Sequence, residues 1–302
     1  MTLAEFDAHW GPNVGLTGSV WLFVLFVAGL LFGSFLNVCI SRLPQDESVV
    51  RPRSRCPLCS KPIRPWDNIP LLSWLLLRGR CRDCHGPIGW RYAAVELATG
   101  VWFAGSYLIV NGHSSLVLLD WLNAAVLGFL LIGLAIMDAE TGLLPDEFTL
   151  GGGFAGLVLF CAYAFMLPDV KGTVFLTAPE KALALRLLAV LASVGFLLLI
   201  RWLYWLARRR EGMGMGDVKM MGMMAIFLGL VPAMLALFVA ILAGAAVGVF
   251  VLLSRRAPRQ RSGLQSGAER TELPFGCFLA LGGFYVMLFG RQTLGWYMQF
   301  FH

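Results

Sequence analysis

Long apolar stretches alternate with short polar or basic segments along the whole chain. Eight of these stretches approach the roughly 20 residues that a helix needs to cross a bilayer core about 30 Å thick. They cover residues 18–40, 93–110, 115–137, 149–167, 183–206, 219–231, 233–253 and 275–290, of which the sixth and the eighth are short. The pattern predicts an all-α polytopic membrane protein with about eight transmembrane helices.

Composition agrees with this prediction. Of the 302 residues, 58% are hydrophobic and only 14% are charged, which lies outside the range of ordinary soluble domains. The first apolar stretch begins well after Met1 and follows acidic Glu5 and Asp7 rather than a basic region. We therefore expect it to be a retained span and not a cleaved signal peptide.

Basic residues are concentrated in three connecting segments, 41–92, 207–218 and 254–274. Because positively charged loops tend to stay in the cytoplasm, these segments and residues 138–148 are predicted to be cytoplasmic, with both chain ends outside. The formal net charge of +6 then requires no nucleic-acid partner, since basic loops face anionic membrane lipid. The polar stretch 254–271 is typical of a flexible loop.

The largest predicted cytoplasmic segment contains two Cys-x-x-Cys pairs, CPLC (Cys56, Cys59) and CRDC (Cys81, Cys84). Each pair can supply two thiolates from one turn, and two such turns complete the tetrahedron of a structural zinc site. A rubredoxin-type iron centre uses the same ligands, and a loop without metal is a third alternative. His85 could replace one ligand, although four cysteines suffice. The sequence favours structural Zn²⁺.

A bound metal would have a large effect on this segment, because the loop has no visible hydrophobic core of its own. Disulfides are not expected in the reducing cytoplasm. The three remaining cysteines lie in apolar stretches and are interpreted as packing residues; they are Cys39, Cys161 and Cys277.

Three carboxylates lie at the edges of apolar stretches. Asp138 ends the third stretch, Asp146 follows it in GLLPD, and Asp217 closes GMGMGD. Ionisable groups at membrane depth are costly, so each is a candidate functional residue. The predicted topology brings Asp138 and Asp217 to one membrane face, where two close carboxylates would share a proton. This is the arrangement of an aspartic protease.

Each of these residues also has a plainer interpretation. Asp138 and Asp217 could cap helix ends, and capping is the preferred role for Asp146. The glycines of GMGMGD, including Gly214 and Gly216, could serve helix packing or form an unwound surface that receives a substrate backbone. Lys219 could tune the pKa of a neighbouring carboxylate or extend to lipid headgroups.

With these residues identified, the chain from Gly33 to Gly283 resembles the type IV prepilin peptidases, a family of bifunctional leader peptidases and N-methyltransferases. Six stretches carry the resemblance, in family order. They are GSFLNVCISRLP from residue 33, IRPWDNIPLLSWL from 63 between the cysteine pairs, RYAAVEL from 91, MDAETGLLPD from 137, EGMGMGDVKMM from 211 and LPFGCFLALG from 273. In the last stretch, Cys277 stands where many relatives carry proline.

The resemblance implies that Asp138 and Asp217 are the catalytic pair of an intramembrane endopeptidase. It implies prepilins or pseudopilins as substrates, cleaved after a glycine that follows a short basic leader, at the cytoplasmic face of the bacterial inner membrane. It further implies that the new N-terminal residue is methylated with S-adenosylmethionine. The cysteine loop and the first-span motif resemble the parts associated with methyl transfer.

Three residues form the candidate methyl-transfer region: Gly33, Asn37 and Glu96. Asn37 could instead hydrogen-bond between helices, and Glu96 could cap the second span. The expected division is an N-terminal tail and first helix (1–40), a cytoplasmic zinc-binding loop (41–92) and a seven-helix membrane peptidase domain (93–302). A transporter using the same aspartates as a proton relay or cation site and a non-catalytic zinc-clipped scaffold are the alternatives.

Overall fold

The computed structural model describes residues 16–111, 117–166, 179–210, 213–254 and 274–299. Nine α-helices lie within these ranges, and the only β-structure found there is a pair of isolated bridges. The helices are α1 (Leu16–Arg42), α2 (Leu72–Leu76), α3 (Trp90–Asn111), α4 (Val117–Thr141), α5 (Asp146–Met166), α6 (Pro179–Arg208), α7 (Met215–Leu228), α8 (Leu230–Ser254) and α9 (Phe275–Met298). The prediction of an all-α fold is confirmed. The predicted flexible loop after Ser254 lies outside the described residues.

Seven of the described helices are long and apolar enough to cross a membrane: α1, α3, α4, α5, α6, α8 and α9. The chain is therefore a multi-pass membrane protein. The last span, short in the sequence pattern, continues to Met298 and has 24 residues. The sixth predicted stretch falls on α7, which has only 14 residues, or about 21 Å of helix, less than a bilayer core.

The short helix α7 ends because the chain turns sharply at Gly229. This residue has φ +88°, a backbone conformation that suits glycine and few other residues. On the neighbouring helix α6, the Arg186 guanidinium donates to the carbonyls of Ile226 and Phe227 at 3.3 and 3.4 Å. These carbonyls belong to the last turn of α7, which has no further helical partners. Arg186 thus caps the end of α7.

Helix α8 reverses the direction of α7 after the turn at Gly229 and packs along α9. Helices α7 and α8 therefore form a hairpin in which α7 is the shorter arm. Ala236 faces Gly282, where an added methyl group would meet the Ala236 carbonyl oxygen at 2.1 Å, and Gly244 faces Phe278. Helices α8 and α9 therefore run antiparallel. Helices α7 and α8 thus keep the alternation of direction that eight crossings require, although α7 is too short to complete its crossing.

Helices α4, α7 and α9 meet in the centre of the bundle. A methyl group on Gly283 of α9 would lie 2.7 Å from Leu131 of α4 and 3.0 Å from Met224 of α7. Both side chains are fully buried. These three residues therefore lie at one level of the bundle, and the helices continue from it towards the candidate site.

Helices α1 and α3 pack with their backbones in direct contact. A methyl group on Gly29 would meet the Gly100 Cα at 2.7 Å, and one on Gly33 would meet the Glu96 Cα at the same distance. Small residues allow such close approach between helices in a membrane. The contact aligns the end of α1 with the start of α3. Residues 43–89, which contain the four clustered cysteines and are called the cysteine segment below, connect these two ends.

Candidate active site and metal centre

Asp138 and Asp217 come together at one end of the central helices. Each lies seven residues, or about 10 Å of helix, from the common level of Leu131 and Met224. Asp138 is in the last turn of α4 and Asp217 in the first turn of α7. Their residues are only 7% and 8% exposed, and the two carboxylates interact electrostatically. Two aspartates 79 positions apart in sequence thus form one buried pair.

The carboxylate of Asp138 is held by the start of α9. Its Oδ2 accepts the backbone N–H of Cys277 at 3.1 Å, and the backbone amide of Gly276 lies beside the same carboxylate. These are free amides at a helix N-terminus, which bind negative groups well. The Cys277 thiol donates to the Ala135 carbonyl at 3.0 Å. The segment from Gly276 therefore orients one carboxylate of the pair.

The carboxylate of Asp217 turns back towards the residue that precedes α7. A methyl group on Gly214 would lie 3.4 Å from Asp217 Oδ2, and Gly214 has an extended backbone, with φ −67° and ψ 150°. Gly216 already belongs to the first turn of α7. The unwound part of the glycine-rich stretch thus ends at Gly214 within the described residues, and Gly212 lies outside them.

Leu144 packs across both sides of the pair. A methyl group on Gly216 would lie 2.8 Å from Leu144 Cβ, and one on Gly276 would lie 3.3 Å from Leu144 Cδ1 and 2.8 Å from Asp138 Oδ2. Glycine at both positions leaves room for this side chain. Leu144 thereby covers part of the pair from the connection between α4 and α5.

Asp146 and Lys219 form an ion pair beside the two buried aspartates. Lys219 Nζ lies 2.6 Å from Asp146 Oδ1, and both side chains are partly exposed, at 33% and 57%. Asp146 is the first residue of α5 and Lys219 lies in the first turn and a half of α7. Lys219 therefore interacts with Asp146, and Asp146 is more exposed than the other two carboxylates.

The two cysteine pairs adopt the same local structure. In each, the backbone N–H of the first cysteine bonds to a carbonyl five residues later, in Lys61 and in Gly86. The residue after the second cysteine is left-handed in both, with φ 58° at Ser60 and 55° at His85. His85 thus closes the second turn, in the position that Ser60 occupies in the first.

The four thiols form a cluster with the dimensions of a metal site. The Sγ atoms of Cys56, Cys59, Cys81 and Cys84 all lie within 4.8 Å of one another, and Cys56 and Cys84 are 3.8 Å apart. A tetrahedron with bonds of about 2.3 Å to zinc has edges of about 3.8 Å. The cluster therefore fits a tetrahedral metal ion.

Ion pairs connect the two turns to the rest of the segment. Arg82 donates from Nε and Nη2 to both oxygens of Asp67, at 2.6 to 3.0 Å, and this bond holds the pKa of Asp67 below its usual value. Lys61 lies 3.4 Å from Asp83 across the two turns. These contacts supplement a segment with few buried apolar side chains.

A cavity of about 430 Å³ lies between the cysteine segment and helices α1 and α3. Polar and aromatic side chains line it, including Ser34, Asn37, Asp67, Trp74, Tyr92 and Glu96. Its volume is within the usual range of small-molecule sites, about 300–1,000 Å³.

Asn37 and Glu96 lie at the inner wall of this cavity. Asn37 Nδ2 donates to the Tyr92 carbonyl at 2.9 Å, while its Oδ1 is buried without a hydrogen-bond partner among the described residues. Glu96 Oε2 accepts the backbone N–H of Leu71 at 2.8 Å. Because α3 begins at Trp90, Glu96 is in its second turn and bonds to the loop rather than capping the helix. Gly33 contacts Glu96 through the backbone only.

Arg91 connects the cavity to the aspartate pair. Its guanidinium contacts Glu140 Oε2 at 2.5 Å and Ser41 Oγ at 3.3 Å. Ser41 lines the cavity, and Glu140 follows Asp138 by two residues. The cysteine segment, the cavity and the two aspartates therefore lie at the same end of the bundle.

Sequence reasoning did not identify the backbone amides of Gly276 and Cys277, the covering role of Leu144 or the Arg91 link. The sequence pattern predicts only a packing role for Cys277. All three lie in the motifs RYAAVEL, MDAETGLLPD and LPFGCFLALG, so the motifs were the available signal. A pattern of residue types does not reveal which amide bonds to which carboxylate.

Comparison with known proteins identifies two matching family profiles. Residues 27–110 match the Bacterial Peptidase A24 N-terminal domain, and residues 125–249 match the Type IV leader peptidase family. The first match contains the cavity and the cysteine cluster, and the second contains Asp138 and Asp217. No solved structure gives a significant match.

Curated proteins similar to the chain carry the name prepilin leader peptidase/N-methyltransferase. One from Myxococcus xanthus is 39% identical over 249 residues, which cover 81% of this chain and 68% of the relative. One from Burkholderia pseudomallei is 34% identical, covering 87% and 84%. One from Pseudomonas aeruginosa is 33% identical, covering 90% and 91%. The similarity therefore extends over nearly the whole chain.

Proposed function

The chain belongs to the type IV leader peptidase family, and from that membership we propose that it cleaves prepilins or pseudopilins after a glycine, using Asp138 and Asp217, and then methylates the new N-terminus. The observation that carries the proposal is the buried, interacting aspartate pair at the ends of α4 and α7. Buried carboxylates without a cationic partner are costly in a membrane protein unless they have a function.

The surroundings of the two carboxylates support different roles for them. The amides of Gly276 and Cys277 stabilise negative charge on Asp138, so Asp138 is the carboxylate that removes a proton from the attacking water. Asp217 holds the proton that the pair shares and donates it to the carbonyl oxygen of the scissile glycine. The water oxygen then bonds to the carbonyl carbon and forms a tetrahedral diol.

Breakdown of the diol completes the cleavage. The proton on Asp138 passes to the amide nitrogen, the C–N bond breaks, and Asp217 recovers its proton from the diol hydroxyl. The products are a leader with a C-terminal glycine carboxylate and a mature chain with a free amine. We assign Gly214, Gly216 and Lys219 to the surface along which the substrate backbone lies, because the extended residue Gly214 lies three positions before Asp217.

The 430 Å³ cavity is the proposed site of the methyl donor, S-adenosylmethionine. This donor would supply an electrophilic methyl group to the new amine. The unpartnered Oδ1 of Asn37 can accept an N–H group of a ligand, and an unpaired buried acceptor is otherwise unfavourable. The carboxylate of Glu96 favours a positively charged ligand. Gly33 allows α1 and α3 to approach closely enough to hold both residues in place.

The four cysteines are proposed to hold a structural Zn²⁺ ion. Their S···S distances support tetrahedral coordination, and all four ligand positions are cysteines, as in closed structural sites. Metal binding would order the segment that forms the outer wall of the cavity. The proposed division of the chain is unchanged: a tail and first helix at 1–40, a zinc-binding loop at 41–92 and a membrane domain at 93–302.

The proposed location is the bacterial inner membrane, with the aspartate pair at the cytoplasmic face. A pilin-type substrate whose apolar helix stands in the membrane needs only lateral movement to reach the pair, and the acidic groups attract its basic leader. The transporter alternative needs carboxylates near the middle of the membrane. Asp138 and Asp217 lie in terminal turns of their helices, which favours the peptidase.

Cleavage of a synthetic prepilin by the purified full-length protein tests the peptidase proposal. The substrate carries a basic leader, a glycine and an apolar helix. We expect Asp138→Asn and Asp217→Asn to lower the cleavage rate at least a thousandfold, because neither variant can complete the proton transfers. Asp46→Asn is the matched control, since Asp46 is exposed and in a left-handed conformation that asparagine tolerates.

Thermal unfolding of each variant separates loss of chemistry from loss of folding. If a folded Asp138 or Asp217 variant cuts at the wild-type rate, that aspartate is structural and Asp146 replaces it as the candidate. If wild type does not cut the substrate at a glycine, the proposed substrate class is wrong.

Equilibrium binding of radiolabelled S-adenosylmethionine tests the donor site without relying on activity. We expect Asn37→Leu to weaken binding roughly tenfold or more, because a buried hydrogen bond to the ligand is lost. Thr99→Val is the control, since its hydroxyl bonds to the Val95 carbonyl in the same helix. Equal affinities in wild type and the folded Asn37→Leu variant would exclude Asn37 from the donor site.

A further inference from the structure

The segment between the two cysteine pairs contains an apolar run that a water-exposed loop would not be expected to carry. Residues 69–77 read IPLLSWLLL, with eight apolar residues and one serine. Short helix α2 forms within this run. A soluble segment of this size would bury most of these side chains.

The side chains of one α2 face are instead exposed. Leu72, Leu75 and Leu76 stand at positions i, i+3 and i+4 of the helix, with 50%, 61% and 73% of their surface accessible. Trp66 and Ile69 before the helix are also exposed. Contiguous exposed apolar residues of this kind mark a contact with a partner or a membrane.

The polar atoms of the same segment point inward. Ser73 is buried, and its hydroxyl accepts the Ile69 N–H at 3.0 Å and donates to the Trp66 carbonyl at 2.9 Å. The indole N–H of Trp74 donates to the Ile88 carbonyl, just before α3. These bonds fix the orientation of α2, so the leucine face is held outward and is not free to fold back.

The contact between α2 and α3 indicates how deeply α2 lies in the membrane. The backbone N–H of Leu71 bonds to Glu96 Oε2 at 2.8 Å. Glu96 lies six residues, or about 9 Å of helix, after Trp90, the first residue of a helix long and apolar enough to cross a membrane. The Glu96 side chain leans back towards the start of α3. Helix α2 therefore lies roughly 4–9 Å deeper along the axis of α3 than Trp90.

We infer that the leucine face of α2 inserts into the lipid leaflet at this end of the bundle and anchors the cysteine cluster to the membrane. The estimated depth matches that of interfacial helices, whose apolar faces enter the headgroup and acyl boundary by about 5–10 Å. Exposed Trp90 stands where aromatic residues mark the interface. Arg64, Arg78 and Arg80 flank the apolar run and are exposed, as suits contact with lipid phosphates.

This inference does not depend on the proposed catalytic activity, and it adds a membrane contact to the predicted cytoplasmic segment 41–92. The depth of α2 favours lipid as the group that contacts its leucine face. A leucine face at this depth beside a membrane span meets acyl chains, and no further partner is needed. The anchor would hold one wall of the 430 Å³ cavity at the membrane surface.

Photo-crosslinking of the full-length protein in lipid nanodiscs tests the insertion. The photoreactive residue p-benzoyl-phenylalanine is placed at Leu76, and at Val50 as control, because Val50 is apolar and 77% exposed but lies outside the apolar run. After illumination, intact-mass spectrometry measures the fraction of protein that carries one lipid. We expect a yield at least fivefold higher at position 76 than at position 50.

Equal lipid yields at the two positions would overturn the inference, and so would a crosslinked dimer as the main product at position 76. The same probe at Leu72, one turn earlier on this face, repeats the measurement if the probe at 76 unfolds the protein. Metal content and thermal unfolding verify that each labelled protein is folded. A lipid adduct at either position above the Val50 level supports the anchor.

Discussion

Single glycines determine how closely the backbone approaches the two aspartates. Gly276 allows the first turn of α9 to bring its N–H groups to Asp138, and an added methyl group there would lie 2.8 Å from Asp138 Oδ2. Gly216 leaves the space that Leu144 fills. Both glycines have backbone angles that other amino acids can adopt. Glycine is therefore required at these positions by the available volume and not by the backbone angles.

Gly276→Ala is therefore expected to reduce cleavage of a prepilin substrate at least tenfold, because the methyl group displaces the Asp138 carboxylate or the α9 amides. Overpacking should also lower the free energy of unfolding by about 1–3 kcal/mol. Gly151→Ala in α5 is the control, since a methyl group there meets no atom within 4 Å. Cleavage rate and thermal unfolding are measured for both. Wild-type cleavage by Gly276→Ala would show that the approach of α9 is not critical.

At the scale of secondary structure, the short helix α7 is the element that brings Asp217 to the buried pair. It carries Asp217 in its first turn and ends 11 residues later at Leu228. The turn at Gly229 and the Arg186 cap end the helix inside the bundle, and Arg186 also lies over the Phe160 ring at 4.8 Å. A helix that ends inside a membrane leaves its last carbonyls without partners unless another group binds them.

Arg186→Met is expected to lower the free energy of unfolding by about 1–3 kcal/mol, because the final carbonyls of α7 lose a charged donor. Arg208→Met is the comparison, since Arg208 is exposed at the end of α6. Denaturant unfolding in a fixed detergent measures both. If the two variants are equally stable, the α7 terminus has another source of stabilisation.

At the scale of the whole molecule, the candidate sites of the two family-matched regions lie at one end of the bundle. Helices α1 and α3 hold the cavity, while α4, α7 and α9 hold the aspartates, and the Arg91–Glu140 contact joins the two groups of helices. A prepilin processed at the pair would have its new N-terminus on the same side as the cavity. This placement suits two consecutive reactions on one substrate.

Loss of the metal is expected to affect the cavity more than the aspartate pair. Cys56→Ser should reduce bound zinc from one ion per chain to below one tenth, since three thiolates no longer close the tetrahedron. Donor binding should fall with it, because the loop forms a wall of the cavity. Cleavage should fall less, because α4, α7 and α9 position the aspartates.

Elemental analysis, donor binding and cleavage are measured on the same preparations. Cys161→Ser serves as the control, since Cys161 lies in α5 and outside the cluster. If the Cys56→Ser protein keeps a full complement of zinc, the assignment of the cluster as a metal site is wrong. If donor binding persists without metal, the cavity wall is independent of the cluster.

Much of the fold followed from the hydrophobic pattern, and the exceptions have a physical cause. The stretches at 18–40 and 233–253 correspond to full spans, because apolar length is what a bilayer requires. The stretch at 219–231 predicted another span, whereas α7 is only 14 residues long. Its end combines the turn at Gly229, which lies within the stretch, with the contact from Arg186, which belongs to another helix and leaves no mark on the local pattern.

The sequence by itself determined the membrane class and the four-cysteine cluster and indicated Asp138 and Asp217 as the candidate pair, because helix length, ligand spacing and charges within apolar stretches are local properties. Only the tertiary structure decided that the amides of α9 hold Asp138 and that the Oδ1 of Asn37 is left unpaired. It also decided which face of α2 points outward. These features depend on contacts between segments far apart in the chain, and the geometry of such contacts arises when the helices pack.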